Sequence, residues 1–288
     1  MAATATSSID RAKAADRFRT IRERSRRLFD LLEPDAYYSR PIALRNPIVF
    51  YEGHLPAFSI NTLIKRALGQ PGIDARLELL FARGIDPEQV SASSGREQWP
   101  SREEVRAYVD EADRRVLHAL RWAPIEQPGH PLLDRGEAVY TILEHEEMHQ
   151  ETLLYMWHRL PYEQKRAPAN EALNVAGSPP LAETIHVPAG RATVGANRAD
   201  IAFGWDNEFE AVRVDVAAFD IDRYNVTNAS FLEFVDAGGY RDPSWWTRDA
   251  FEWLRAEGIE HPQFWSRHDG QWWWRGMFQE FPLPASWP

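Results

Sequence analysis

The sequence of 288 residues predicts an α+β fold, with a helical bundle first and a smaller mixed domain after it. Between about residues 10 and 160, apolar residues recur at spacings of three and four, which is typical of amphipathic helices. From about residue 183, apolar and polar residues alternate over short segments, as in half-buried strands. A stretch rich in Ala, Pro, Asn and Ser separates the two patterns. We therefore predict a bundle at 10–165, a linker at 166–182 and a second domain at 183–288.

Four principal helices are predicted in the first part, and short connections favour an antiparallel bundle. The first helix has an apolar face formed by Phe18, Ile21, Ser25, Leu28, Leu31 and Leu32. A capping box, Ser101–Glu104, starts another helix. By spacing and end signals, the helices are expected at about 18–32, 57–68, 101–122 and 134–159, with a short extra helix at 74–81.

In the second part, short strands are expected at 184–187 and 191–194, and a longer one at 212–222. A helix is predicted at 228–237. The segment from Tyr240 onward is rich in tryptophan. Such side chains can stack on a planar or cationic ligand, but we favour packing within a region of little regular structure.

Composition excludes several classes of site. The formal net charge of -10 disfavours binding to a nucleic-acid backbone. Because the chain has no cysteine, disulfides, zinc–thiolate sites, iron–sulfur clusters and thiol nucleophiles are absent. Any metal would therefore be held by nitrogen and oxygen. No apolar run is long enough to span a bilayer and no hydrophobic signal region opens the sequence, so we expect a cytoplasmic protein without membrane association.

The segment His145-Glu-Glu-Met-His149 places two histidines four residues apart on the last predicted helix of the bundle. Side chains at this spacing project from the same helix face, so both imidazoles can reach one metal ion. Ala138, Ile142 and Met156 share that face, which we therefore expect to be buried. Without a bound ligand, a buried pair of imidazoles would be unfavourable, because burial disfavours the charged form and each ring needs hydrogen-bond partners.

His54 is the natural third ligand, although its spacing is equally compatible with a loop histidine that is hydrogen-bonded at a helix start. Three nitrogen ligands would leave positions open for substrate and oxygen, which is typical of a catalytic metal site. We expect Gln150 or a neighbouring glutamate to orient one imidazole. A metalloprotease frame would require His-Glu-x-x-His, so that class is excluded. The other histidines lack partners at ligand spacing and are predicted to be structural or solvated: His118, His130, His158, His186, His261 and His268.

Five segments carry a family resemblance, and they cover nearly the whole chain: Tyr51–Leu55, His145–Thr152, Val187–Gly190, Trp205–Glu208 and Phe219–Asn228. Together they resemble the iron-dependent sulfoxide synthases of ergothioneine biosynthesis and, more closely, the related selenoneine synthases. In that family a DinB-like four-helix bundle precedes an irregular mixed α/β domain like the formylglycine-generating enzyme, which has a C-type-lectin-like fold. The resemblance implies the same α+β arrangement here.

The resemblance also implies a reaction. His54, His145 and His149 would bind Fe(II), and hercynine would be the substrate. Oxygen and a chalcogen donor would be the partners, and a C–Se or C–S bond would form at imidazole C2. The donor would be a selenosugar in selenoneine synthesis, or cysteine or γ-glutamylcysteine in ergothioneine sulfoxide synthesis.

Two departures from the family pattern bear on these expectations. Met148 stands where sulfoxide synthases often have a glutamine that contacts the hercynine imidazole, which favours the selenoneine branch. Only Arg96 and Arg102 are available for an arginine-rich donor-binding segment. By the resemblance, the sequence also stops in the middle of the second domain, and the segment with an active-site tyrosine would lie beyond residue 288. We therefore interpret the chain as truncated and name no catalytic residue.

Two alternative functions stay open. A DinB-like bundle can act as a metal-dependent thiol transferase, which would use zinc or nickel and a bacillithiol- or mycothiol-type partner. That function predicts activity from residues 1–165 alone and no need for oxygen. A binding scaffold would instead use the histidines as a packed polar core, and it predicts no stoichiometric metal.

Overall fold

A computed structural model describes residues 9–82, 99–169, 175 and 177–288. The chain divides into two compact units, with the boundary after Pro168. The first unit is helical and the second combines small antiparallel sheets with two helices, which confirms the predicted α+β fold class. No helix within these described ranges has the length and hydropathy needed to cross a bilayer.

Residues 9–82 and 99–168 of the first unit form five α-helices, and one of these helices continues directly as a π-helix. The bounds are α1 Arg11–Asp30, α2 Ile48–Ser59, the π segment Ile60–Ala67, α3 Ala75–Leu80, α4 Arg102–Trp122 and α5 Glu137–Arg159. Two side chains cap helices as their types predict. Asp10 accepts hydrogen bonds from Ala12 N and Lys13 N at the start of α1, and Ser101 accepts one from Glu104 N at the start of α4.

The second helix begins at Ile48, well before the predicted start at residue 57. A proline inside a helix removes a backbone hydrogen bond. The structure keeps Pro56 inside α2, where residues 48–57 are all buried. Packing around the whole circumference outweighs the missing bond, and it also removes the amphipathic periodicity that would have marked the helix.

One apolar core joins the long helices of the first unit. The predicted face of α1 is confirmed at Phe18, Ile21, Ser25 and Leu32, whereas Leu28 and Leu31 are only half-buried. Phe29 and Arg22 occupy the buried positions instead. Facing side chains of the core come from the π segment, α4 and α5: Ile60, Leu63, Ile64, Val116, Leu120, Val139 and Ile142.

From residue 177 onward, the second unit forms three small antiparallel sheets. Strand β1 (Thr184–Val187) pairs with β4 (Phe219–Asp222), and β2 (Gly190–Val194) pairs with β3 (Val212–Val216). The single strand predicted at 212–222 is wrong, because its two halves belong to different sheets.

The tryptophan-rich segment also differs from its prediction. It forms α7 (Arg248–Ala256) and a three-stranded sheet of β5 (Trp265–His268), β6 (Gln271–Arg275) and β7 (Glu280–Pro282). The predicted helix near 228–237 is confirmed as α6 (Asn228–Asp236).

Candidate metal centre

Three histidine side chains converge inside the first unit. One nitrogen of each of His54, His145 and His149 lies within 4.8 Å of the others. The Nε2 atoms of His54 and His145 are 3.3 Å apart. The three residues are 9%, 7% and 6% exposed, so the cluster is shielded from solvent. The pair predicted on α5 and the third ligand predicted upstream therefore meet at one place.

Two helices supply this cluster. His145 and His149 lie one turn apart on α5, and His54 lies within α2 rather than in a loop before a helix. The Nδ1 atom of His54 is 2.7 Å from the carbonyl oxygen of Phe81. Because a carbonyl only accepts, His54 carries its proton on Nδ1, and Nε2 keeps a lone pair directed at His145.

Burial keeps the cluster neutral. Desolvation lowers the pKa of His54, and it lowers the pKa of His149 to about 3 with a further contribution from His54. The pKa of His145 is lowered still more strongly by desolvation and by its two histidine neighbours. All three imidazoles are therefore uncharged near pH 7, which is the protonation state that metal binding requires.

The donor set fits a first-row transition metal. Nδ1 of His145 and Nδ1 of His149 are buried and have no hydrogen-bond partner within the described ranges. Unpartnered buried polar atoms are costly, and a site with only imidazole nitrogens is one in which Fe(II), Zn(II) or Ni(II) can bind. The three residues thus have the ligand type, the charge state and the proximity for one such ion.

Aromatic side chains fix the imidazole rings. Phe58 stacks on His145 with ring centroids 3.5 Å apart and an interplanar angle of 7°. Phe50 stacks on His54 at 4.8 Å, and the ring of Tyr51 lies 5.7 Å from that of His149. These contacts limit ring rotation and exclude water from two of the ligands.

The glutamates and Gln150 contact α1 rather than the imidazoles. Glu146 accepts hydrogen bonds from Arg22 at 2.7 Å and from Ser25 at 2.6 Å. Gln150 donates to the carbonyl of Ile21 at 2.9 Å and to Ser25 at 3.0 Å. The expectation that one of these side chains orients an imidazole is therefore wrong. They fasten α5 to α1, and the carbonyl of Phe81 is the group that orients His54.

Of the other predicted site residues, Met148 and Arg102 lie within the described ranges, and neither has a described contact with the three histidines. Met148 is 45% exposed on α5, and Arg96 lies outside the described residues. Arg102 donates to the carbonyl of Phe29 at 3.1 Å, and its guanidinium lies 4.9 Å from the centre of the Tyr37 ring. Its Nε is also 3.4 Å from Glu52, so the described contacts of Arg102 are within the bundle.

Several of the remaining histidines have partners of their own, as predicted for structural or solvated residues. His130 accepts hydrogen bonds from two backbone amides through Nδ1. His186 lies 2.8 Å from Asp220, and His268 lies 3.3 Å from Glu280. His118 is exposed on α4.

Gly53 lies directly against the ring of Phe81 and leaves no space for a side chain. A Cβ atom at this position would overlap the ring of Phe81, the residue whose carbonyl binds His54. Overpacking of this kind costs about 1–3 kcal/mol, so Gly53→Ala is expected to lower the free energy of unfolding by that amount. Gly190→Ala is the control, since its Cβ would meet no atom within 4 Å. Equal urea denaturation midpoints for the two variants would contradict this packing.

Comparison with known proteins identifies both units. Residues 17–153 match the DinB superfamily, and residues 170–278 match the sulfatase-modifying factor enzyme 1-like domain. These matches confirm the predicted types of the two domains.

Curated relatives are similar in sequence to this chain over both units. Ergothioneine biosynthesis protein 1 of Neurospora crassa is 31% identical over 225 residues, which is 71% of this chain and 25% of the relative. Hercynine oxygenase of Mycolicibacterium smegmatis is 30% identical over 274 residues, which is 88% of this chain and 57% of the relative. The chain thus spans between a quarter and somewhat more than half of these two proteins. The chain thus combines a region similar to the DinB superfamily with one similar to the sulfatase-modifying factor enzyme 1-like domain, and its sequence is similar to an ergothioneine biosynthesis protein and to a hercynine oxygenase.

Proposed function

We propose that the chain belongs to an Fe(II)- and O2-dependent synthase that joins a chalcogen to C2 of the hercynine imidazole. The observation that carries this proposal is a buried, neutral, all-nitrogen cluster in the DinB-type unit of a hercynine oxygenase homologue. The name of that relative supports hercynine as the substrate, and the open positions of a three-histidine site suit a reaction with oxygen.

His54, His145 and His149 would hold the iron. When bound, Fe(II) would supply the one-electron chemistry with O2 that oxidative bond formation needs. Neighbouring backbone and side-chain groups would hold the three imidazoles in position before iron binds. The Phe81 carbonyl fixes the tautomer of His54, and the rings of Phe50 and Phe58 hold two ligands in place and keep water away. Preorganisation of this kind lowers the cost of positioning ligands and substrate.

For the donor, the relatives named for ergothioneine biosynthesis support sulfur, from cysteine or γ-glutamylcysteine. A selenosugar donor and a C–Se bond are the second candidate, which Met148 favours. This exposed side chain precedes the ligand His149, and a thioether is a weaker hydrogen-bond acceptor than the amide common at that position in sulfoxide synthases. Hercynine would then be oriented without a hydrogen bond from this residue.

A thiol transferase confined to the bundle is less well supported. That function needs only the DinB-type unit, proposed at 10–165, whereas the similarity to hercynine oxygenase extends over 88% of the chain. A transferase also needs no oxygen, so oxygen dependence separates the two functions.

The test is a reaction of the Fe(II)-loaded protein with hercynine and an equimolar mixture of cysteine, γ-glutamylcysteine and a selenosugar. Hercynine is expected to be converted to a C–S or C–Se adduct only when O2 is present, and the mass of the product identifies the donor. Transfer of a bacillithiol- or mycothiol-type thiol to an electrophilic substrate under anaerobic conditions would instead support the transferase. No loss of hercynine with any donor at full iron occupancy would contradict the proposed function.

A further inference from the structure

A cavity of about 650 Å³ lies beside the histidine cluster, within the first unit. Its walls come from the end of α2, the π segment and α3. His54 and Phe58 line it, and these two residues also contact His145. The volume is in the range of small-molecule sites, which are typically apolar clefts with a few placed polar groups. The cavity therefore adjoins the candidate metal centre rather than being a separate void elsewhere.

The charges along the cavity leave one cation uncompensated. Lys65 is 2.8 Å from Glu78, whose side chain is 3% exposed and also accepts from the backbone amides of Ile73 and Asp74. The charge of Lys65 is thus matched. Arg66 is exposed at the cavity, and the described residues offer it no ion pair or hydrogen bond. The cavity accordingly presents a net positive charge at Arg66, away from the apolar wall formed by Phe58 and Phe81.

The backbone that carries Arg66 has an unusual conformation. The π segment is eight residues long, and its i to i+5 bonding includes a 3.0 Å bond from Leu68 N to Leu63 O. π-Helical turns are rare and occur frequently at functional sites. Here the π segment supplies Thr62, Lys65 and Arg66 to the cavity wall. The ion pair of Lys65 with Glu78 then fixes this segment against α3.

The length of the cavity indicates the size of its ligand. His54 and Arg66 are twelve residues apart on one continuous helical segment, so their Cα atoms are separated by at most roughly 18 Å along the axis. Helical side chains lean toward the N-terminus, which brings the guanidinium of Arg66 back toward His54. A cavity of about 650 Å³ bounded by two residues at this separation suits an extended small molecule rather than a single ion.

We infer that this cavity binds an amino-acid-type substrate, with its carboxylate at Arg66 and its other end beside His54. The inference deepens the proposed function and rests on it, because both hercynine and a thiol donor such as cysteine or γ-glutamylcysteine carry a carboxylate. An arginine–carboxylate pair is charge-assisted and can be bidentate, so it gives orientation as well as affinity. A selenosugar has no carboxylate, and its binding would be independent of Arg66.

The test is titration calorimetry on the full chain with hercynine, γ-glutamylcysteine and cysteine as probes. Two of the probes are paired with analogues that lack a carboxylate: trimethylhistamine for hercynine and cysteamine for cysteine. Arg66→Gln is expected to weaken binding of at least one carboxylate probe by about tenfold or more, and to leave its analogue unchanged. The probe that responds identifies the substrate in the cavity. Arg121→Gln is the matched control, because Arg121 is an exposed arginine of α4 that does not line the cavity.

Two results would overturn the inference. One is equal affinity of the wild type and Arg66→Gln for every carboxylate probe, and the other is the absence of binding by the wild type. Binding is measured without turnover, so this failure is distinct from failure of the proposed function. Oxygen-dependent product without an effect of Arg66→Gln would contradict substrate binding in the cavity and support the proposed function. Arg66-dependent binding without any product would support substrate binding in the cavity and contradict the proposed function.

Discussion

The variant His145→Ala is expected to lose stoichiometric metal binding, with a fall in Fe(II) affinity of more than about 100-fold. The loss of a group that merely hydrogen-bonds to a ligand already costs 10–100-fold, and this substitution removes a ligand itself. The three imidazoles lie at similar distances from one another, with ring centroids 5.0, 5.0 and 4.5 Å apart, so each is in position to contribute one ligand. The two remaining imidazoles would leave most of the coordination sphere to water.

The measurement is iron content per chain after anaerobic loading and removal of free metal, with circular dichroism to check the helices. His118→Ala is the control, since it also removes a helical histidine but one that is exposed on α4. One iron per chain is expected in the wild type and in the control. The same stoichiometry in His145→Ala would mean that iron binds elsewhere on the protein.

The proximity of the two histidines on α5 could be predicted because the local geometry of a helix determines it. A spacing of four residues on a helix sets the relative direction of His145 and His149 whatever the tertiary structure. The position of His54 depends on how α2 packs against α5, and 91 residues separate it from His145. Since α2 is buried on all sides, periodicity revealed neither its start nor its orientation. For the same reason, the hydrogen bond from His54 to the carbonyl of Phe81 could not be predicted from the sequence.

In the second unit, two local features of the sequence mark a hairpin and a strand break. Asp269–Gly270 lies between β5 and β6, and both residues have positive φ, 49° and 81°. An Asp-Gly pair between two strands is a strong signal for a tight hairpin. Apolar residues also occupy even positions in β3 but odd positions in β4, at Phe219 and Ile221. That change of phase marks the break within the segment 212–222, because a single strand keeps its alternation throughout.

The buried cation Arg22 leads to the largest expected effect on stability. Its side chain is 7% exposed, and it donates hydrogen bonds to Asp113 and Glu146 at 2.7 Å each. The three residues join α1, α4 and α5, and Glu146 is adjacent to the ligand His145. Replacing Arg22 with methionine keeps much of the volume but leaves carboxylates buried without their main partner. Removal of one member of a buried ion pair costs about 3–5 kcal/mol, and we expect the free energy of unfolding to fall by that amount.

Urea denaturation of Arg22→Met and of Arg19→Met tests this expectation. Arg19 lies three residues earlier on the same helix and pairs with Asp16, but its side chain is 46% exposed. Exposed ion pairs contribute about 0–1 kcal/mol, so the control is expected to unfold near the wild-type midpoint. A loss below about 1 kcal/mol in Arg22→Met would mean that the buried charge of Arg22 contributes little to the stability of the bundle. The larger loss would show that the buried charge network stabilises the contact of α1 and α4 with α5, so part of the stability of the bundle lies in the residues next to the candidate metal centre.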